Sequence, residues 1–200
     1  MFCSALDFFV TLQAETKQQM ASREKYGRLS GSARAEGARL GVFWLVSFAL
    51  FRGSFTLPLC GVLWIATILF TPFYVGIRTE AFGRSLGAEG ITYLEAFLHS
   101  FLSIFYGSLI LAIGQWAYFQ YFDHGMVLSN YISILTDSKM KESLNAMGYT
   151  QEIIDQLIEV MQSLRPIDIA LQFMWSNVVA GFFISLTTAL YASFRHSKKI

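Results

Sequence analysis

Four long apolar segments separated by polar stretches set the pattern of this chain. They cover residues 38–55, 57–77, 96–122 and 167–194. A helix needs about 20 apolar residues to cross a bilayer, so each segment is predicted to be a transmembrane helix. The first two are joined by a few residues and predict a tight helical hairpin. The third is long enough that it must tilt or protrude from the bilayer.

The N-terminal 36 residues are predicted to form a cytoplasmic arm. Leu6, Phe9 and Val10 recur at helical spacing and predict an amphipathic helix from about Ser4 to Met20. Such a helix can lie on the membrane surface, on a partner, or on the cytoplasmic end of the chain's own bundle. Small residues follow and predict a flexible link: Gly27, Ser30, Gly31, Ser32 and Gly37.

The polar insert at residues 123–166 is predicted to contain a helix–turn–helix pair. Gly148 follows a helical pattern and suits a C-terminal cap, and Thr150 can N-cap the next helix. Pro166 ends that second helix. Its apolar face consists of Ile153, Ile154, Leu157, Ile158, Met161 and Leu164.

Composition supports a membrane protein. Of the 200 residues, 54% are hydrophobic and only 14% are charged, and the mean hydropathy is +0.46. A soluble domain averages about 25% charged residues. These values exclude a disordered chain, a nucleic-acid-binding protein and an ordinary soluble enzyme.

The distribution of charge predicts an orientation. Basic residues concentrate before the first apolar segment, in the 78–95 loop and after the last segment, whereas residues 123–168 carry an excess of acids. The positive-inside rule therefore predicts that both termini are cytoplasmic and that the insert is extracytoplasmic. We also expect Arg52, near the end of the first segment, to extend to the lipid headgroups or to pair with the acidic insert.

Polar side chains within the third segment are candidates for a functional site, because such groups are costly inside a membrane. Glu95 and His99 share a helix face at its start, and Gln115 lies deeper. A carboxylate beside an imidazole can relay protons. The alternative, which we favour, is that Glu95 and His99 are solvated at the headgroup level. For Gln115 the simpler explanation is an interhelical hydrogen bond.

Small residues on two segments predict close helix packing. The fourth segment carries a stripe spaced by four, consisting of Asn177, Gly181, Ser185 and Ala189. Gly107 and Gly114, with Ser100 and Ser103, mark a comparable face on the third segment. Small faces let helix backbones approach each other in a membrane, so we expect these two faces to meet. A ligand groove is the alternative.

The chain lacks the common sequence signatures of catalysis. It has no phosphate-binding glycine loop, no H-E-x-x-H motif and no G-x-S-x-G motif, and its three histidines are scattered. We therefore predict no catalytic residue, no metal site and no cofactor.

Two stretches carry a family resemblance. The first is GAEGITYLEAFLHSFLSIFYGSLILAIGQWAYFQYFD, preceded by PFYVGIRTEAFG, and the second is AMGYTQEIIDQLIEVMQSLRP with a Gly-containing segment after it. On these residues the chain resembles domain-of-unknown-function family 4199 from about Ala38 to Phe194. The resemblance implies a four-span inner-membrane protein of Gram-negative bacteria with integral membrane partners, among which a membrane glycosyltransferase is a candidate. It brings no catalytic residues.

The prediction is thus an all-α polytopic membrane protein with four transmembrane helices within residues 37–200 and a small extracytoplasmic helical insert. The favoured function is a non-enzymatic accessory or scaffolding subunit of an inner-membrane complex, which binds membrane proteins and lipids but no nucleic acid. One alternative is a small transporter or channel with a polar path through Glu95, His99, Gln115 and Asn177. Another is a lipid-modifying enzyme that uses Glu95 and His99 as an acid–base pair.

Overall fold

The described part of the chain contains helices and no strands, which confirms the predicted all-α class. A computed structural model describes residues 2–87 and 90–197, with side chains at residue 20, 23–87 and 90–194. Seven helices lie in this part: α1 (Phe2–Gly53), α2 (Pro58–Ser85), α3 (Tyr93–Tyr121), α4 (Met126–Thr136), α5 (Ser138–Ala146), α6 (Gln151–Ser163) and α7 (Pro166–Ser197).

Three helices in the described residues are long and apolar enough to cross a membrane, namely Pro58–Ser85, Tyr93–Tyr121 and Pro166–Phe194. The predicted segment 38–55 is the C-terminal part of α1 and is not among them. Arg39 and Arg52 are separated by roughly 20 Å of helix at 1.5 Å per residue. The hydrocarbon core of a bilayer is about 30 Å thick, so the uncharged stretch between these two arginines is shorter than a membrane span.

The long helices α1, α2, α3 and α7 form an up-down-up-down bundle. Helices α1 and α3 are parallel, since Ser32 lies beside His99 at one end and Arg52 beside Tyr118 at the other. Helices α2 and α7 run in the opposite direction, as shown by the pairs Glu36–Arg78, Ser47–Thr67, Gly181–Ile104 and Ala189–Ala96. We call the end that carries α4–α6 the insert end, and the end where α2 joins α3 the loop end.

Helix α3 is the centre of the bundle, because it packs against both α1 and α7 along its length. A core cluster at the loop end joins all four long helices. It contains Leu29, Phe82, Ile91, Ala96, Ala189 and Ala192.

The predicted flexible link at Gly27–Gly37 is wrong, because α1 is helical from Phe2 to Gly53 without a break. Leu29, Ala33, Glu36 and Gly37 are buried on one side of this stretch, and this burial offsets the low helix propensity of glycine and serine. The side chains of residues 4–19 lie outside the described ones, and so does the amphipathic face predicted there.

The helix–turn–helix pair of the insert is confirmed as α5 and α6. Gly148 has a φ of 91°, its N–H donates to the carbonyl of Asn145, and the Tyr149 N–H donates to the carbonyl of Leu144. This is the Schellman geometry that ends helices at glycine. Thr150 accepts a hydrogen bond from the N–H of Ile153 and so caps α6.

The insert also contains α4, which the sequence analysis did not predict. It follows Gly125 in a left-handed conformation, and the Asp123 carboxylate accepts a bond from the Val127 N–H. The sequence pattern does not separate this short apolar helix from the third segment, because the aromatic residues before it continue the apolar pattern of that segment.

Candidate functional site

Glu95 helps to begin α3 and binds α1. Its carboxylate accepts from the Thr92 N–H at 3.0 Å, while the Thr92 hydroxyl accepts from the Glu95 N–H. This reciprocal capping box satisfies two N–H groups of the first turn. The carboxylate also forms an ion pair with Lys25 at 2.9 Å. Glu95 thus caps the start of α3 and links it to α1.

His99 is fully buried and links three helices, so solvation at the headgroup level is wrong for this residue. Its Nε2 lies 3.1 Å from the Ser32 hydroxyl of α1, and its Nδ1 lies 3.2 Å from the Thr79 hydroxyl of α2. Its ring stacks on Phe82 at 4.5 Å. Both ring nitrogens of His99 face hydroxyl groups, and the Glu95 carboxylate contacts Lys25 and Thr92, so the two side chains do not contact each other as the candidate acid–base pair requires.

A second buried polar cluster surrounds Glu36, which the sequence analysis did not single out. The Arg78 guanidinium donates to both of its oxygens, with the Nε contact at 2.7 Å. Arg39 donates at 2.7 Å and the Tyr74 hydroxyl at 3.2 Å. The sequence contains one signal for this cluster. Glu36 precedes the first apolar segment and Arg78 follows the second, so a hairpin of these two segments places both residues at the same end.

The small stripe of α7 does face α3. A side chain at Gly181 would collide with Ile104, Ser185 is fully buried, and Ala189 belongs to the core cluster with Ala96. This part of the packing prediction matches the observed geometry.

The α3 part of that prediction is wrong, because Gly107 and Gly114 face α1. A Cβ at Gly107 would lie 3.3 Å from the Gly37 carbonyl oxygen and 3.4 Å from the Gly41 N. A Cβ at Gly114 would collide with Leu45. Gly107 of α3 therefore meets Gly37 and Gly41 of α1, and Gly181 of the α7 stripe meets Ile104 on another side of α3.

Gln115 and Asn177 line one cavity in the half of the bundle nearer the insert end. The cavity has a volume of about 220 Å³ and lies between α1, α2, α3, α4 and α7. Gln115 is 3% exposed, and its Oε1 has no hydrogen-bond partner in the described part of the chain. Trp44, Phe48 and Trp64 are among the aromatic residues that line the cavity.

At the insert end, Arg52 pairs with the insert, which is one of the two outcomes expected for it from the sequence. Its Nε lies 4.0 Å from the Asp123 carboxylate and donates to the Tyr118 hydroxyl. Nearby Tyr131 of α4 lines the cavity, and burial raises the pKa of its phenol. The insert is thereby fixed to the end of α1.

Among the described residues, no group of three or more His, Cys, Asp or Glu side chains is arranged to hold a metal ion. The polar groups fall instead into separate clusters: Glu95–Lys25, His99 with Ser32 and Thr79, and Glu36 with Arg78. Ile104 and Leu111 are buried on α3 between His99 and Gln115.

Comparison with known proteins identifies a family. The model of a family described as "Protein of unknown function (DUF4199)" matches residues 36–192, which confirms the resemblance seen in the sequence. Neither the curated proteins nor the solved structures contain a match to the chain.

Proposed function

The chain belongs to the DUF4199 family, and from that premise we propose that it is a non-enzymatic accessory or scaffolding subunit of a bacterial inner-membrane protein complex. It binds integral membrane partners and lipids. The membrane glycosyltransferase suggested by the resemblance is one candidate partner. In this proposal α1, α2, α3 and α7 all cross the membrane, both termini are cytoplasmic, and the insert is extracytoplasmic.

The parallel packing of α1 and α3 supports the fourth crossing. Contacts between the two helices extend from Lys25–Glu95 through Ser32–His99 to Arg52–Tyr118, which covers most of the length of α3. If α3 crosses a bilayer, this part of α1 lies at the same depths. Arg52 then reaches the acidic insert, and Arg39 is paired with Glu36.

The observation that carries the proposed function is the exposed surface of α2. Only 11% of its most apolar stretch is buried, compared with 50% for α3. Pro72, Gly76 and Thr188 are among the residues that line a cleft of about 400 Å³ between α2 and α7. Nothing lies within 4 Å of a Cβ built at Gly76, so a partner helix can approach the α2 backbone there.

Photocrosslinking at native expression levels tests the α2 surface. A photoreactive residue at Phe73 or Ile77, both of which line the cleft, should give a discrete protein adduct. Ile113 on α3 is equally exposed and lies outside the cleft, so it should give lipid adducts only. Recovery of the protein alone in mild detergent, with lipid adducts at all three positions, would contradict the proposal.

A variant of Gly76 sharpens the test. Gly76→Leu fills the open side of the cleft and should reduce co-purification of the partner at least tenfold. Gly31→Leu on α1 is the matched control, because a Cβ there also meets nothing within 4 Å. Equal co-purification with both variants would exclude the cleft as the docking site.

A small transporter or channel is the second candidate. The specific observation for it is a series of polar side chains from α1, α2 and α3 at successive levels of the bundle. From the loop end they are His99, Glu36, Thr71, Ser47 and Gln115, and Asn177 of α7 lines the same cavity as Gln115. Liposomes that contain the protein and a trapped pH-sensitive dye should show proton flux, reduced by Asn177→Leu combined with His99→Ala. Flux equal to that of empty liposomes would reject this candidate.

A further inference from the structure

The cavity at Gln115 is lined mainly by apolar side chains, with Ser47 and Asn177 as polar neighbours, and it contains one buried polar atom without a hydrogen-bond partner among the residues that the structure describes. Its wall is largely aromatic, whereas the Gln115 Oε1 is buried and accepts no hydrogen bond from the described residues. Ser47, the polar neighbour from α1, is already bonded to Thr67 at 2.6 Å. A buried amide oxygen without a donor is unfavourable, so a donor brought in by a ligand would be stabilised there.

Two further cavities share lining residues with this one on opposite sides. Toward the middle of the bundle, a cavity of about 110 Å³ shares Trp44, Ile68 and Asn177 with it. Toward the insert, a cavity of about 350 Å³ shares Tyr131 and Phe173 with it. The three cavities lie in a row and make up a mainly apolar space, with Gln115 in the central cavity and Asp123 at the insert side.

Access to this space is available from the side of the bundle. Ile68 of α2 lines two of the cavities and is half exposed, and α2 has little of its apolar surface covered. A molecule dissolved among lipid chains can thus enter beside α2 without passing through water. An uncharged ligand is favoured, because no charged side chain lines the central cavity.

We infer that this space binds an uncharged long-chain alcohol, whose hydroxyl group donates a hydrogen bond to Gln115 and whose hydrocarbon chain occupies the neighbouring cavities. Straight-chain lipid alcohols and isoprenoid alcohols share this chemistry. The assignment rests on the cavity and on Gln115 and does not require the α2 docking surface, so either can fail without the other.

Tryptophan quenching by a brominated ligand provides the test. Trp44 and Trp64 line the cavity, and Trp116 and Trp175 are the exposed tryptophans of the chain. In a Trp116→Phe, Trp175→Phe background, 11-bromoundecanol should quench saturably. Bromoundecane, which lacks the hydroxyl group, should need about a tenfold higher concentration, as expected for one lost hydrogen bond.

Gln115→Leu removes the acceptor and keeps the apolar volume. It should abolish the difference between the two bromo compounds, whereas Gln120→Leu, at an exposed position of the same helix, should preserve it. Gln115→Leu should fold, because it replaces an unsatisfied amide with an apolar side chain, and thermal unfolding checks this. Equal quenching by the alcohol and the alkane in the parent protein would overturn the assignment, and it is also the result expected if water occupies the site.

Competition distinguishes the two sources of the alcohol. Unlabelled dodecanol and farnesol have the same chain length, and whichever displaces 11-bromoundecanol at the lower concentration identifies the straight-chain or the isoprenoid class. If neither displaces it, the quenching is non-specific and the proposal is wrong.

Discussion

Helix α1 contacts its two neighbours in opposite ways. Toward α3 it presents Gly37 and Gly41, and the backbones approach so closely that a Cβ at Gly37 would lie 2.8 Å from the Ser103 carbonyl oxygen. Toward α2 it presents polar side chains, and hydrogen bonds span the gap at Glu36, Trp44 and Ser47. Without a hydrophobic driving force between helices in lipid, close packing and polar bonds are the two available sources of association. Between Glu36 and Ser47 each side of α1 relies mainly on one of them, whereas outside this stretch hydrogen bonds also reach His99 and Tyr118 of α3.

The largest effect should come from the glycine contact. In Gly37→Val the Cβ of the new side chain would lie 2.6 Å from the Cβ of Tyr106, so α1 and α3 must separate. We expect a loss of about 3 kcal/mol in unfolding free energy, measured by reversible denaturation in mixed micelles. Gly31→Val is the control, because nothing lies within 4 Å of that position, and it should change stability by less than about 1 kcal/mol. Equal losses would show that the close approach contributes nothing.

An intermediate effect is expected at the polar cluster of the other interface. Glu36→Gln removes the charge that Arg78 and Arg39 share, and it should cost about 2 kcal/mol. The value is below that of a fully buried pair because both arginines are partly exposed. In a double-mutant cycle with Arg78→Gln, the combined loss should be smaller than the sum of the single losses. Strict additivity would contradict the ion pair.

The smallest effects are expected from the two neutral contacts. Trp44→Phe and Ser47→Ala each remove one interhelical hydrogen bond and should each cost about 0.6 kcal/mol. The remaining hydroxyl groups stay satisfied, because Thr71 also donates to Thr67 and Thr67 to Trp64. Ser176→Ala on α7 is a suitable control, since that hydroxyl bonds only within its own helix. A loss above that of Glu36→Gln would reverse the order proposed for this interface.

The sequence predicts those features that depend on local chemistry. The helical nature of all four apolar segments and the turn from Gly148 to Thr150 follow from periodicity, capping and the left-handed conformation that glycine permits. The flexible link failed for the opposite reason. Helix formation at Gly27–Gly37 depends on burial of Leu29, Glu36 and Gly37 against other helices, and those are tertiary contacts.

The site was less accessible from sequence, because it depends on which helices are neighbours. Gly107 and Gly114 pack against α1, whereas the sequence predicts that they face α7. His99 is buried, whereas the sequence predicts solvation at the headgroup level, and its partners lie 67 and 20 residues away in the chain. No local pattern records such pairs.

The parallel arrangement of α1 and α3 also imposes an order on biosynthesis. When the ribosome has completed α1, the surface that receives Gly37 and Gly41 has not yet been translated, because Gly107 lies on the next helix but one. The nascent chain can form the α1–α2 hairpin immediately, with Glu36 and Arg78 paired across it. The packing of α1 is therefore complete only after α3 emerges. In a nascent chain stalled before α3, α1 would contact α2 alone, through the hydrogen bonds of that interface.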